Sequence, residues 1–238
     1  MSLVATEATR FNAVVKYEQE ASVGICRDVV TIYEADAKTY PVGTVLGKTF
    51  VSTSVTATAA AGNTGNGSIG AVTVTGKAQR GTYTIRINKS ASNAGDFTVA
   101  DPSGAVIGFG TVAAAFSNQI AFTLADGATD FVVGDNFSVE VVGDYKYKMV
   151  ESTATDGSAK ACAIYISAKD GSFSTSTIAA TTDTSVIALV RGAAIVGKET
   201  LTYGASIDTA AEKTKMYSEL ESVGIICRTQ IGSFPVVA

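Results

Sequence analysis

Short runs in which apolar and polar residues alternate, broken repeatedly by Gly, Asn or Asp, fill most of this chain and predict a mainly β protein. The alternation is clearest where Tyr83, Ile85 and Ile87 interleave with Thr82, Thr84 and Arg86. It recurs where Phe137, Val139 and Val141 interleave with Ser138, Glu140 and Val142. In SVGICRDVVTIYEA (22–35), Val29, Thr31 and Tyr33 share one face and Val30 and Ile32 the other, which predicts a strand buried on both sides. A short strand is expected from Pro41, and Tyr145 and Tyr147 alternating with Lys146 and Lys148 predict a strand with one wet face. ACAIYISA (161–168) is apolar enough for the centre of a sheet. Asp101-Pro102-Ser103-Gly104 places Pro and Gly where a β-turn favours them, so 97–100 and 105–108 should form a hairpin. The Ser/Thr-rich stretch 171–185 reads as a long loop. A single helix is predicted over 208–222, with Asp208 as its cap, Met216, Leu220 and Val223 as its buried stripe, and Gly224 ending it in a left-handed conformation.

Composition shifts between residues 51 and 143. That segment opens with STSVTATAAAGNTGNGSIG (52–70), expected to be a flexible or turn-rich connection, and continues with five strand-like runs and no helical period. It reads as a small β-sandwich or barrel inserted into a surface loop of the domain formed by 18–50 and 144–238. Residues 1–17 are left as an N-terminal arm. Residues 1–16 have no sustained periodicity, yet Leu3, Val4, Phe11, Val14 and Val15 are more apolar than a solvating tail needs. A frayed terminus is the plain interpretation. The sharper one is an arm with no partner inside the chain that orders on another protein through Leu3, Val4, Phe11 and Val14.

The chain has 238 residues, of which 17% are charged and three are proline. Its Val, Ile and Thr suit half-buried strands, and its length buries about 70% of the unfolded surface without help from disulfides or metal. A net charge of −4 with no run of Lys or Arg argues against nucleic acid as a partner. No apolar stretch reaches the length of a membrane span, and residues 1–20 lack the apolar segment of a secretory signal. Cys26, Cys162 and Cys227 lie in apolar runs without metal-ligand spacing, which predicts three buried reduced thiols; one disulfide with a leftover thiol is the alternative.

Histidine is absent. That excludes Ser-His-Asp and Cys-His nucleophile activation and removes the commonest zinc ligand. A carboxylate pair stays formally open, but no motif singles out two of the 22 acids, so no enzyme activity and no cofactor are expected. The glycine-rich run 62–67 lacks the Lys-Ser/Thr ending of a phosphate loop and reads as a turn. Asp126, Asp130 and Asp135 supply the oxygen chemistry a calcium ion takes, without EF-hand spacing.

Three segments carry a resemblance. VIALVRGAAIV (186–196) is a β-branched strand with one Arg-Gly interruption. It is followed by KETLTYGASIDTAAEKTKMYSELESVG (198–224), with its single helix, and by the closing strand IICRT (225–229). With YKYKMVESTATDGSAKACAIYISA (145–168) before them and YEADAKTYPVGTVLGK (33–48) earlier, they resemble the lambda-type head decoration proteins of tailed phages. In that family the chain passes almost directly from the earlier segment to the later ones, so 51–143 is a departure. The resemblance implies a structural protein made in the host cytoplasm. It would sit as a homotrimer on the outer surface of the virion head, bind the major capsid protein and cement the shell, with its N-terminal arm on the capsid. The alternative is an adhesin-like module that contacts a host glycan or protein through the insert.

Overall fold

A computed structural model describes residues 11–168 and 175–229. The chain divides into two compact units, one made of Met1–Thr49 and Lys146–Ala238, the other of Phe50–Tyr145. In chain order the first unit begins with a one-turn helix α1 (Phe11–Val14), β1 (Val15–Glu18), β2 (Arg27–Ile32) and β3 (Lys38–Tyr40), and β4 (Val45–Ala59) leaves it. The second unit adds β5 (Ser68–Ile69), β6 (Thr73–Val74), β7 (Gly81–Ala91), β8 (Ala94–Ala100), β9 (Val106–Thr111), β10 (Ala115–Ser117) and β11 (Ile120–Ala125). The chain returns through β12 (Asn136–Met149) to β13 (Ala161–Ala168), β14 (Ser176–Ile178), β15 (Thr184–Leu189), β16 (Ala194–Gly197), α2 (Ala210–Ser222) and β17 (Ile225–Arg228).

In the first unit, β2, β15, β13, β4 and the end of β12 lie side by side in that order. Tyr147 of β12 then pairs in parallel with Ile32 of β2, and the Tyr33 N–H donates to the Tyr147 carbonyl at 3.1 Å, so the path closes into a five-stranded ring. Closure leaves no free edge in that ring. Its core includes Val30, Ile32, Val45, Leu46, Ile164, Ile166, Val186 and Ala188. Beside the closure sits a buried carboxylate. Glu34, 4% exposed, accepts the Tyr40 hydroxyl and the Met149 N–H. Burial, then Glu34 itself, drives the Tyr40 pKa far up, so the phenol stays protonated and donates.

A second sheet orders β1, β16 and β17, with β1 antiparallel and β17 parallel to β16. The parallel pair requires a crossover, which α2 supplies. Met216 and Leu220 are buried where α2 packs on β13 and β17. Val223 is the C-cap and only partly buried, and Gly224 follows at φ +85. A side chain on Gly192 would meet the Gly224 carbonyl oxygen at 1.8 Å, so two backbones touch where 190–193 leads into β16.

Four expectations are corrected. The strand 186–196 is two strands in two sheets, because Arg191 turns the corner: its guanidinium donates to the Ile25 carbonyl at 2.9 Å and to Asp28 at 2.8 Å. β2 is buried on one face only. Val30 and Ile32 point into the ring while Val29 is 55% exposed. The low-complexity run from residue 52 is strand as far as Ala59, since Ser, Thr and Val tolerate a half-wet strand as readily as a turn. Within 171–185, β14 pairs with β3 and β15 begins at Thr184; residues 171–174 lie outside the described ones.

The second unit packs an antiparallel sheet, β12-β7-β8-β9, over a small sheet of β10, β11 and β5, with β6 also paired to β11. Between them lie Tyr83, Ile85, Ile87, Phe97, Val99, Leu124, Val139 and Val141, so the predicted alternations are inward and outward faces of β7 and β12. The expected hairpin is present. The Asp101 carboxylate accepts the N–H groups of Ser103 and Ala105 and closes the turn from β8 to β9.

The α2 cap is Thr209, not Asp208. Thr209 and Glu212 form a reciprocal capping box: the Thr209 hydroxyl accepts the Glu212 N–H at 3.2 Å, and Glu212 accepts the Thr209 N–H at 3.1 Å. The bond from the Thr209 N–H, then one from the Ser152 hydroxyl, lowers the Glu212 pKa to about 2 from an ordinary 4.5. A carboxyl depressed on folding contributes stability above its unfolded pKa and loses it as pH falls through the folded one. Glu212→Gln should therefore give a shallower fall in urea stability between pH 4.5 and 2. Identical slopes in the two proteins would show that the box does not couple to folding.

Candidate functional site

Among the described residues, the exposed large apolar side chains of the first unit lie in the segment from α1 to β2. Its anchor is internal. Val14 is fully buried, Val15 pairs with Val196, and the Thr200 hydroxyl donates to the Ala13 carbonyl at 3.2 Å. The Phe11 ring is half-buried under the Arg27 guanidinium, 5.0 Å from its centroid. The expectation that residues 1–16 lack a partner within the chain is therefore corrected for 11–16. Val14 belongs to the core and Phe11 to a cation–π contact, while Leu3 and Val4 lie outside the described residues.

Between β1 and β2 the chain makes a tight turn. The N–H groups of Val23 and Gly24 donate to the Glu20 carbonyl, and Gly24 has φ +70. Arg27 clamps the base of the turn with a forked contact to Glu18, at 2.6 to 3.0 Å. Cys26 plugs it from beneath, its thiol 3.7 Å from the carbonyls of Gln19 and Ala193. With the inner side filled, the apolar side chains have only one way to go. Tyr17 is 52% exposed, Val23 72% and Ile25 47%, and Val29 on β2 is exposed as well. The turn thus holds apolar side chains outward, in contact with solvent. Sequence periodicity missed it because SVGICRDVV reads as one strand; the signals against that were Gly24 and the polar run Glu18-Gln19-Glu20.

The three aspartates do not converge. Asp135, 4% exposed, accepts the N–H groups of Thr64 and Gly65 at 2.9 Å and of Val132 at 3.1 Å. Burial pushes its pKa up, but the three bonds together outweigh that and hold it below the usual range. Asp130 accepts the Asn93 N–H, and both carboxylate oxygens of Asp126 are buried without a hydrogen-bond partner. Among the described residues no group of three His, Cys, Asp or Glu side chains could hold a metal, and no helix is long and apolar enough to cross a membrane. The cysteines are unpaired, and burial pushes the thiols of Cys162 and Cys227 up to about 11, away from nucleophilic thiolate.

Asp135 thus ties the glycine-rich run to the turn before β12. Asp135→Ala should cost about 2–3 kcal/mol by urea unfolding, because three buried N–H groups lose their acceptor, whereas exposed Asp130→Ala should cost under about 1 kcal/mol. Equal effects would remove Asp135 from that role.

A family model described as bacteriophage lambda head decoration protein D matches residues 4–225. No curated protein matches the chain. Solved structures of FlgL from Xanthomonas campestris align at 19% identity and TM-score 0.31, covering 44% of this chain and 33% of that one. The flagellar junction protein FlgL from Legionella pneumophila aligns at 16% identity and TM-score 0.29, covering 43% and 37%. The chain thus spans about a third of the length of these proteins.

Proposed function

The chain belongs to the family of the bacteriophage lambda head decoration protein D, and from that membership we propose that it is a cement protein acting on the outer surface of a phage head. The family role is structural, decoration of the capsid. The finer reading is that three copies bind the major capsid protein together and stabilise the shell. The family match over residues 4–225 carries the proposal. The clamped turn with Tyr17, Val23, Ile25 and Val29 supplies apolar surface for it. β1 adds to this, since it ends its sheet and a partner strand could pair along it. Three such modest contacts on one trimer reinforce each other, because the second and third form at high effective concentration.

The experiment is binding to empty heads that lack the protein. Val23→Asp with Ile25→Asp changes only exposed side chains, so its melting temperature should match the parent. Its affinity for heads should fall at least about tenfold, equivalent to 1.4 kcal/mol. Heads filled with the parent protein should survive heating that breaks bare heads, and sedimentation should find three chains per bound particle. Unchanged affinity in the double variant would move the contact elsewhere, and unprotected heads would end the cementing role. Removing residues 2–10, which include Leu3 and Val4 but spare Val14, should weaken binding without altering the fold.

We further propose that 51–143 is an inserted domain. Its ends lie side by side: a side chain on Gly143 would meet the Val51 carbonyl at 2.4 Å. Replacing 52–142 with a short Gly-Ser bridge should leave a remainder that unfolds cooperatively. A molten or aggregated product would count against the division.

A further inference from the structure

Phe109 is 75% exposed, more than any other large apolar side chain among the described residues. It cannot turn inward. β9 rests directly on aromatic rings: a side chain on Gly110 would meet Phe97 at 2.3 Å, and one on Gly108 would meet Phe116 at 2.9 Å. Those rings pack on each other and on Phe122, at centroid distances of 5.3 to 6.1 Å. Phe109 is thus a fixed aromatic face on a rigid strand.

Around it is an open hollow of about 420 Å³, lined by Asn88, Lys89, Asp96, Gly110 and Thr111. The strand register builds it, since Lys89, Asp96 and Thr111 stand in one row and Arg86, Thr98 and Phe109 in the next. Its polar groups are only loosely engaged. Asp96 meets the Thr111 hydroxyl at 3.3 Å and the Lys89 ammonium at 3.5 Å. Asn88 donates one N–H to Thr98 at 2.7 Å and keeps its carbonyl oxygen. A carboxylate, an amide, an ammonium and a hydroxyl therefore rim one apolar ring.

Pairing with a partner strand fits this edge poorly. The Ile107 carbonyl already accepts the Asn118 amide at 2.6 Å, and the Thr111 carbonyl accepts the Ala114 N–H at 3.1 Å, so the edge is blocked at both ends. The mixed signs of Lys89 and Asp96 give no phosphate-binding field. What matches is a sugar ring, apolar on its C–H face and bordered by adjacent hydroxyls that both donate and accept.

We propose that this hollow on β7, β8 and β9 binds a pyranose, with Phe109 stacked on its C–H face and Asp96 and Asn88 holding neighbouring hydroxyls. The site is shallow, so a single contact is weak. If the protein coats a head, as proposed above, repetition over many copies makes it effective.

The test is saturation-transfer NMR on the full chain with methyl α- and β-pyranosides of glucose, galactose, mannose, N-acetylglucosamine and N-acetylgalactosamine. At least one should receive magnetisation at its ring C–H protons. Phe109→Ala should reduce that signal at least tenfold and Asp96→Asn should weaken it, both with unchanged melting temperature, since both side chains are exposed. The Val23→Asp, Ile25→Asp protein should bind the same sugar normally, which separates this site from the capsid contact. No transfer to any of the sugars, or equal transfer with Phe109→Ala, overturns the proposal. So does a loss of self-association in Phe109→Ala with no sugar signal in either protein, because the face would then be a protein contact.

Discussion

Closure of the five-stranded ring is the constraint on which the first unit depends. It is made where Ile32 and Tyr33 meet Tyr147, and it is secured from inside by Glu34 held between Tyr40 and Met149. The two sides of this seam are separated in sequence by the whole second unit. Glu34 takes Tyr40 and Lys38 from its own segment and the Met149 N–H from the other, so part of its hydrogen bonding depends on bringing both segments together.

That seam lets apolar side chains stand exposed on the first unit without a cost to its core. Beside the ring and the β1-β16-β17 sheet, the turn between β1 and β2 is held by its own backbone hydrogen bonds, the Glu18–Arg27 clamp and the Cys26 plug. Its aliphatic side chains are then free of any duty to the fold. A preordered contact loses little entropy on binding, which would suit the contact proposed above. The raised thiols of Cys162 and Cys227 and the Asp135 carboxylate tied to backbone N–H groups accord with the structural role of the family.

The second unit follows a different economy. Its core is aromatic, with Phe97, Phe116 and Phe122 in one cluster and Phe131 edge-on to Phe137 in another. Glycines at 108 and 110 let β9 lie flat on the first cluster, which forces the residue between them outward. Phe109 is thus exposed because of what packs beneath it, and the same packing makes it a firm platform.

Much of this was legible in the residues alone. Period-two alternation marked β7 and β12, Asp-Pro-Ser-Gly marked a hairpin, and Met216, Leu220 and Gly224 marked the helix and its end, because each is a local pattern with a local cause. The decoration-protein resemblance was legible for the same reason, since it rests on strand order and one helix. Only the tertiary structure decided the rest. Val29 and Val30 are adjacent valines of one strand, yet the ring takes Val30 and leaves Val29 wet. Val14 sits in a segment that reads as a loose arm, yet the core takes it. Val23 and Ile25 read as buried strand, yet the Glu18–Arg27 clamp turns them out. Alternation sorts side chains onto two faces, but it does not say which face meets another element; for Val14 and Val30 that depends on partners more than a hundred residues away, and for Val23 and Ile25 on an ion pair between residues nine apart.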